Sequence, residues 1–206
     1  MASPLGILEF QKAIRGGVRP NLFKVEHAWP SGDTGLTTPS LTGATASGAE
    51  VTYLCKSAAL PATNIGTVEL PFRGRVIKVP GDRTYETWTA TFYMDDAFKI
   101  RSAYEKWIEL TNAVDKNTAS ADIIDTWEDI KITQLDKFGG QGKADGELKE
   151  LRTYRLASAF PVSISQVSLA YDNNDSYEEF DVEFAYQYHT SFGGDGGNDT
   201  VDSSGS

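Results

Sequence analysis

Two runs of charge stand out among the residues able to do chemistry. PFRGRVIKVPGDR carries Arg73, Arg75, Lys78 and Arg83, and YEEFDVEF carries Glu178, Glu179, Asp181 and Glu183. Guanidinium and ammonium groups at such spacing can meet carboxylates or phosphates. The whole chain argues against phosphates as the general partner: 19 Lys+Arg face 29 Asp+Glu, a formal charge of -10 and a pI of about 4.7. A nucleic-acid clamp built on many phosphate contacts would need the opposite balance. The charge is also unevenly placed. Residues 1–155 hold all 19 basic residues and 20 of the acidic ones, and beyond Arg155 every charged residue is acidic. A solvated strand face accounts for either run taken alone. Two ribbons of opposite sign meeting across a subunit boundary account for both, because complementary potentials set register and suppress wrong pairings.

Catalytic chemistry finds no foothold, and no catalytic, metal-ligating or cofactor-binding residue is expected. The chain lacks GxGxxG, GxxxxGK[ST], HExxH, GxSxG and CxxC patterns. Cys55 is the lone cysteine and sits in an apolar run, which reads as a small core residue rather than a nucleophile. His27 and His189 lie in β-like runs without recognisable partners and read as surface or satisfied core histidines. The run from Asp172 superficially resembles a calcium loop, but Ser176 and Tyr177 stand where a ligand and a sharp-turn glycine are needed, so a hairpin turn is expected. An acidic pair on a β-sandwich keeps a hydrolase open as a rival reading, and a carbohydrate-binding or effector sandwich is another. The start MASPLGILEFQKAIRGG has no cationic segment ahead of an apolar run and no stretch approaches 18 consecutive apolar residues, so neither a signal peptide nor a membrane span is expected and the chain should be made in the cytosol.

The elements that must carry these residues are mostly strands. Residues 1–20 read as a flexible arm, 21–190 as one β domain, and 191–206, rich in Gly, Asp and Ser, as a disordered tail. NLFKVEHAW reads as a strand ending at Pro30, followed by a long Gly/Ser/Thr loop at about 30–50. EVTYLCKSA reads as a return to β structure, and IGTVELPFRGRVIKV as a hairpin turning between Pro71 and Gly74. TYETWTATFYM is apolar or β-branched on both faces and predicts a central strand. From Asp95 the period becomes helical, with Ala97, Ile100, Tyr104, Trp107, Ile108 and Val114 on one face, so a helix is expected over about 95–114, capped by Asp95 and Asp96. TWEDIKITQLDKF predicts a strand, GGQGKADG a turn, and ELKELRTYRLASAFPVSI a further strand broken at Pro161. The last strand alternates Phe180, Val182, Phe184, Tyr186 and Tyr188 with Asp181, Glu183 and Gln187, giving one apolar and one anionic side. The fold class is mainly β (α+β): an antiparallel β-sandwich or barrel with one flanking α-helix.

YLCKSAALPATNIGTVELPFRGRVIKVPGDRTYETW closely resembles the tail tube proteins of contractile-tailed bacteriophages. RPNLFKVE, FKIRSAYEKWIELTNA, ITQLDKFG, RTYRLASAFPVSIS and LAYDNNDSYEEFDVEFAYQYH are similar to the same family in the same order, across about residues 19–189. The resemblance implies a structural virion subunit that joins five others in a hexameric ring. Rings stack into a hollow tube whose inner barrel is shared between neighbouring sheets, an architecture the type VI secretion tube protein also has. Implied partners are other copies, the sheath, baseplate, tape-measure and tail-terminator proteins. DNA would pass through the lumen without specific binding, and the tube would be assembled in the host cytoplasm. The arm and long loop are then expected at ring-to-ring contacts, and the two charged ribbons at the contact between subunits.

Overall fold

The computed structural model describes residues 6–14, 17–30, 48–118, 123–137, 148–172 and 176–193. In chain order the elements are α1 (Ile7–Ile14), β1 (Phe23–His27), α2 (Gly48–Leu54), β2 (Cys55–Ala58), β3 (Asn64–Phe72), β4 (Arg75–Thr84), β5 (Trp88–Tyr93), α3 (Lys99–Thr111), a 3-10 turn (Ile123–Thr126), β6 (Glu128–Leu135), β7 (Glu150–Ile164), β8 (Glu179–Ala185) and β9 (Tyr188–Gly193). The long loop, the GGQGKADG turn, most of the Asn/Asp turn and the tail after Gly193 lie outside the described residues.

Seven strands form one antiparallel sheet in the order β1-β6-β7-β8-β5-β2, with β9 also on β7; the sheet is open at β1 and β2 rather than closed into a barrel. β7 makes this topology possible by serving two neighbourhoods. Its first half pairs with β6 and β9, and its last residues, Phe160 to Ile164, pair with β8. The strand turns between them at Ser158, whose φ of 52° is left-handed. Asp129 secures that corner: its Oδ1 accepts the Ser158 N–H at 3.1 Å while its Oδ2 accepts from Arg155. Strands that bend at a bulge let one chain belong to two packed layers. The expected break at Pro161 is thus a register shift inside a continuous strand, and the corner lies three residues earlier.

The core lies between this sheet and α3. Alternation on β5 and β8 sends Trp88, Ala90 and Phe92 and Phe180, Val182 and Phe184 inward. Helical spacing sends Ile100, Ala103, Tyr104 and Trp107 against them. His27 sits in the middle and is fully satisfied. Its Nδ1–H donates to the Ala28 carbonyl at 2.8 Å, and its Nε2 accepts the Tyr104 hydroxyl at 2.8 Å. Burial lowers its pKa to about 4, so it is neutral at pH 7.

Three sequence expectations need correction. The helix runs over Lys99–Thr111 instead of about 95–114, because Phe98 takes a left-handed φ of 53° and Asn112 an extended φ of -152°. Asp95 still caps it, accepting the Lys99 N–H at 3.2 Å, whereas Val114 lies beyond it, 90% exposed. EVTYL is helical, not β: α2 buries Val51 completely and ties Thr52 Oγ1 to the Val25 carbonyl at 2.8 Å. Pairing on β9 runs to Gly193, so residues 191–193 belong to the sheet and not to the tail. In the arm, α1 is a formed helix that buries none of its residues.

Candidate assembly surfaces

The β3–β4 pair stands apart as a second, two-stranded sheet. Its register explains its faces. Val68 opposes Val79, Leu70 opposes Ile77 and Phe72 opposes Arg75, so these six share one face; Glu69 opposes Lys78 and Pro71 opposes Val76 on the other. Arg73 and Gly74 make the turn with φ of 47° and 79°, the left-handed pair that matches strand twist. Among the described residues nothing covers the apolar face: Leu70 is 51% exposed and Phe72 60%. An apolar face of that extent, left open, is the mark of an interaction surface.

The predicted basic residues all lie on or beside this hairpin but do not form one patch. Arg73 is at the tip with its guanidinium 5.4 Å from the centroid of the Phe72 ring, and Arg75 flanks the apolar face. Lys78 is on the opposite face, 3.5 Å from Glu69, and Arg83 is at the root. The predicted acidic residues are better grouped. Glu179, Asp181 and Glu183 project from the outer face of β8, and Glu178 precedes it, exposed.

Each of the three β8 carboxylates already has partners. Lys56 Nζ reaches Glu179 at 2.6 Å, Thr91 Oγ1 donates to Asp181 Oδ1 at 2.7 Å, and Glu183 accepts from Thr87 and, at 3.1 Å, from Ser163. The result is a preorganised row of carboxylates fixed by hydroxyls from β5 and β7, with one ammonium at its end. Among the described residues no ion pair joins the basic and acidic ribbons within the subunit. Sequence reasoning missed the row's supports, although alternate threonines at 87, 89 and 91 were their signal: β-branched hydroxyls repeating at period two opposite a carboxylate strand.

The catalytic candidates have structural roles. Cys55 is partly buried, and desolvation pushes its thiol up to about 12, which removes the thiolate a nucleophile needs. His27 is locked in the core, and no cluster of metal-ligating side chains occurs among the described residues.

An open sheet, an apolar hairpin face exposed among the described residues and a row of oriented carboxylates are the surfaces of a structural assembly subunit. The family model described as phage tail tube protein matches residues 18–191, and the chain belongs to that family. It is 25% identical over 170 residues to the tail tube protein gp19 of Enterobacteria phage T4, covering 82% of this chain and 89% of that one. The tail tube protein of Serratia phage KSP90 is 25% identical over 161 residues, covering 78% and 84%. Among solved structures, a chain of the PVC extracellular contractile injection system sheath–tube complex superimposes with a TM-score of 0.54 at 17% identity, covering 89% of this chain and 97% of that one. A chain of the anti-feeding prophage baseplate gives 0.55 at 11% identity, covering 84% and 94%. The protein is a tail tube component of the virion, with the fold of contractile injection tubes.

Proposed function

We propose that copies of this chain form stacked hexameric rings whose bore conducts DNA, the β3–β4 hairpin of one copy closing against the next. The observation that carries this reading is the hairpin's apolar face: five large side chains aligned by register and exposed among the described residues. An unfinished β surface is a liability in a monomer and an asset when an identical copy completes it. Arg73, Arg75, Lys78 and Arg83 then arrive at the neighbour with the hairpin, and Glu178, Glu179, Asp181 and Glu183 are the acceptors they would meet. The carboxylates not consumed this way would line the bore, where their charge repels phosphates and lets DNA slide without specific binding. Sheath, baseplate, tape-measure and tail-terminator proteins are the expected partners of the assembled tube.

Electron microscopy of the purified chain tests this. Wild type should form tubes of one diameter, and Ile77→Asp should remain a folded subunit with an unchanged melting temperature and form none. Tubes formed equally by Ile77→Asp would overturn the hairpin's role. For the charge contact, Arg75→Glu should block assembly and Glu178→Arg added to it should restore it; Glu178 suits this better than Glu179, which already holds Lys56.

A further inference from the structure

The protruding hairpin is an excursion within another strand pair. β2 pairs with β5, Ala58 opposite Ala90, and pairing resumes with Asn64 opposite Thr84. Between these ladders, residues 59–63 on one side face 85–89 on the other, five against five, with no ladder pairing between them. Links without ladder hydrogen bonds leave the direction of the hairpin to the side-chain contacts around them. Two contacts stay within the root itself: Trp88 Nε1 donates to the Ala59 carbonyl at 2.6 Å, and Asn64 Nδ2 donates to Glu86 Oε1 at 2.7 Å. Two residues reach it from outside, Tyr186 and His189. His189, on the edge strand β9, shares a hydrogen bond with Thr63 through Nε2 and Oγ1, 3.1 Å apart. Its ring meets Tyr85 edge-on at 5.4 Å between centroids and lies 6.1 Å from Tyr186, which itself lies 5.8 Å from Tyr85.

We infer that His189 is the latch that sets the direction in which the β3–β4 hairpin leaves the body, and is thereby a positioning residue for contact between copies. This rests on the assembly reading above. The ring's other nitrogen supports it. Nδ1 is buried without a partner among the described residues, an unfavourable placement held by the ring's contacts with Thr63, Tyr85 and Tyr186. Desolvation first and the Arg83 charge second lower the His189 pKa, so the neutral ring makes the contact; Glu86, Tyr85 and Tyr186 are the other ionisable groups at the root.

Spin labels at Val76→Cys on the hairpin and Glu109→Cys on α3, in a Cys55→Ala background of the full chain, read the hairpin's direction as a distance distribution. His189→Ala should broaden or displace that distribution and raise the protein concentration needed for tubes about fivefold, the factor expected for one lost hydrogen bond. Thr63→Val, which removes the same bond without touching β9, should do likewise, and His189→Gln, whose amide can reach Thr63, should restore both. Unchanged distances in His189→Ala and Thr63→Val would overturn the latch. Changed distances with unchanged tube formation would overturn its positioning role. Altered distances in a chain whose wild type forms no tubes would support the latch and sink the assembly reading instead.

Discussion

The β5–β8 pair and the β3–β4 hairpin are both antiparallel ladders with an apolar face, yet they solve opposite problems. On β5 and β8 the apolar set, Trp88, Phe92, Phe180 and Phe184, is buried against α3. On β3 and β4 the equivalent set, Val68, Leu70, Phe72, Ile77 and Val79, meets solvent. The same period-two pattern therefore encodes folding in one region and, in the proposed assembly, association in the other, and the covering element separates them. A substitution should then register in different measurements according to the region it touches.

The largest effect belongs to the core. Trp107 is fully buried and donates its indole N–H to the Thr126 carbonyl at 2.7 Å, so Trp107→Ala should cost about 3–5 kcal/mol in urea-denaturation stability of the free subunit. Ile77→Ala should change the same quantity by less than about 0.5 kcal/mol while weakening tube formation. A loss at Ile77 comparable to that at Trp107 would mean that the hairpin packs within its own subunit, and the comparison would fail.

Acid gives the next largest effect on the stability of the subunit, through His27 in the core. The pKa of His27 falls from 6.5 to about 4 on burial. The unfolded chain thus takes up a proton at a pH where the folded one does not, so stability is full above pH 6.5 and is lost as pH drops towards 4. One such group is worth roughly 3 kcal/mol over that interval. Urea midpoints at pH 7 and pH 4.5 should differ by much less in His27→Gln than in wild type.

The corner of β7 should come third. Asp129→Ala removes the acceptor for Arg155 and for the Ser158 N–H at once, and a cost of about 1–2 kcal/mol is expected. Ser158→Gly should recover part of it, since glycine takes a φ of 52° without strain.

These regions also mark how much of the molecule could be read before it was seen folded. The mainly β class, β5 as a central strand, a hairpin turning within Pro71–Gly74 and the helix through Tyr104 and Trp107 follow from periodicity and turn composition, since alternation and 3.6-residue spacing report directly which face is buried. Two features did not follow. α2 carries EVTYL, a β-prone composition held in a helix because Val51 and Thr52 dock onto β1, a tertiary effect with no local signal. The scatter of Arg73, Arg75, Lys78 and Arg83 over a tip, two faces and a root depends on the hairpin's register, which a count of charges along the chain does not contain. Glu179, Asp181 and Glu183 were legible as one face because they alternate with buried residues, but their threonine and serine partners come from strands distant in sequence.

The smallest effects lie in the hairpin turn and can be driven in both directions. Gly74 has a φ of 79° and open space where a Cβ would sit, so Gly74→Ala meets no clash and carries only the backbone penalty, about 1 kcal/mol. Arg73 also takes a positive φ, 47°, at the position where asparagine is favoured ahead of glycine. Arg73→Asn should therefore slow hydrogen exchange at the amides of β3 and β4, and Gly74→Ala should speed it roughly fivefold. Neither should move the global denaturation midpoint, because the hairpin opens as its own unit. If Gly74→Ala lowered that midpoint as much as it lowered local protection, hairpin and body would open together, and the division between a ladder that folds the subunit and one that waits for a neighbour would no longer hold.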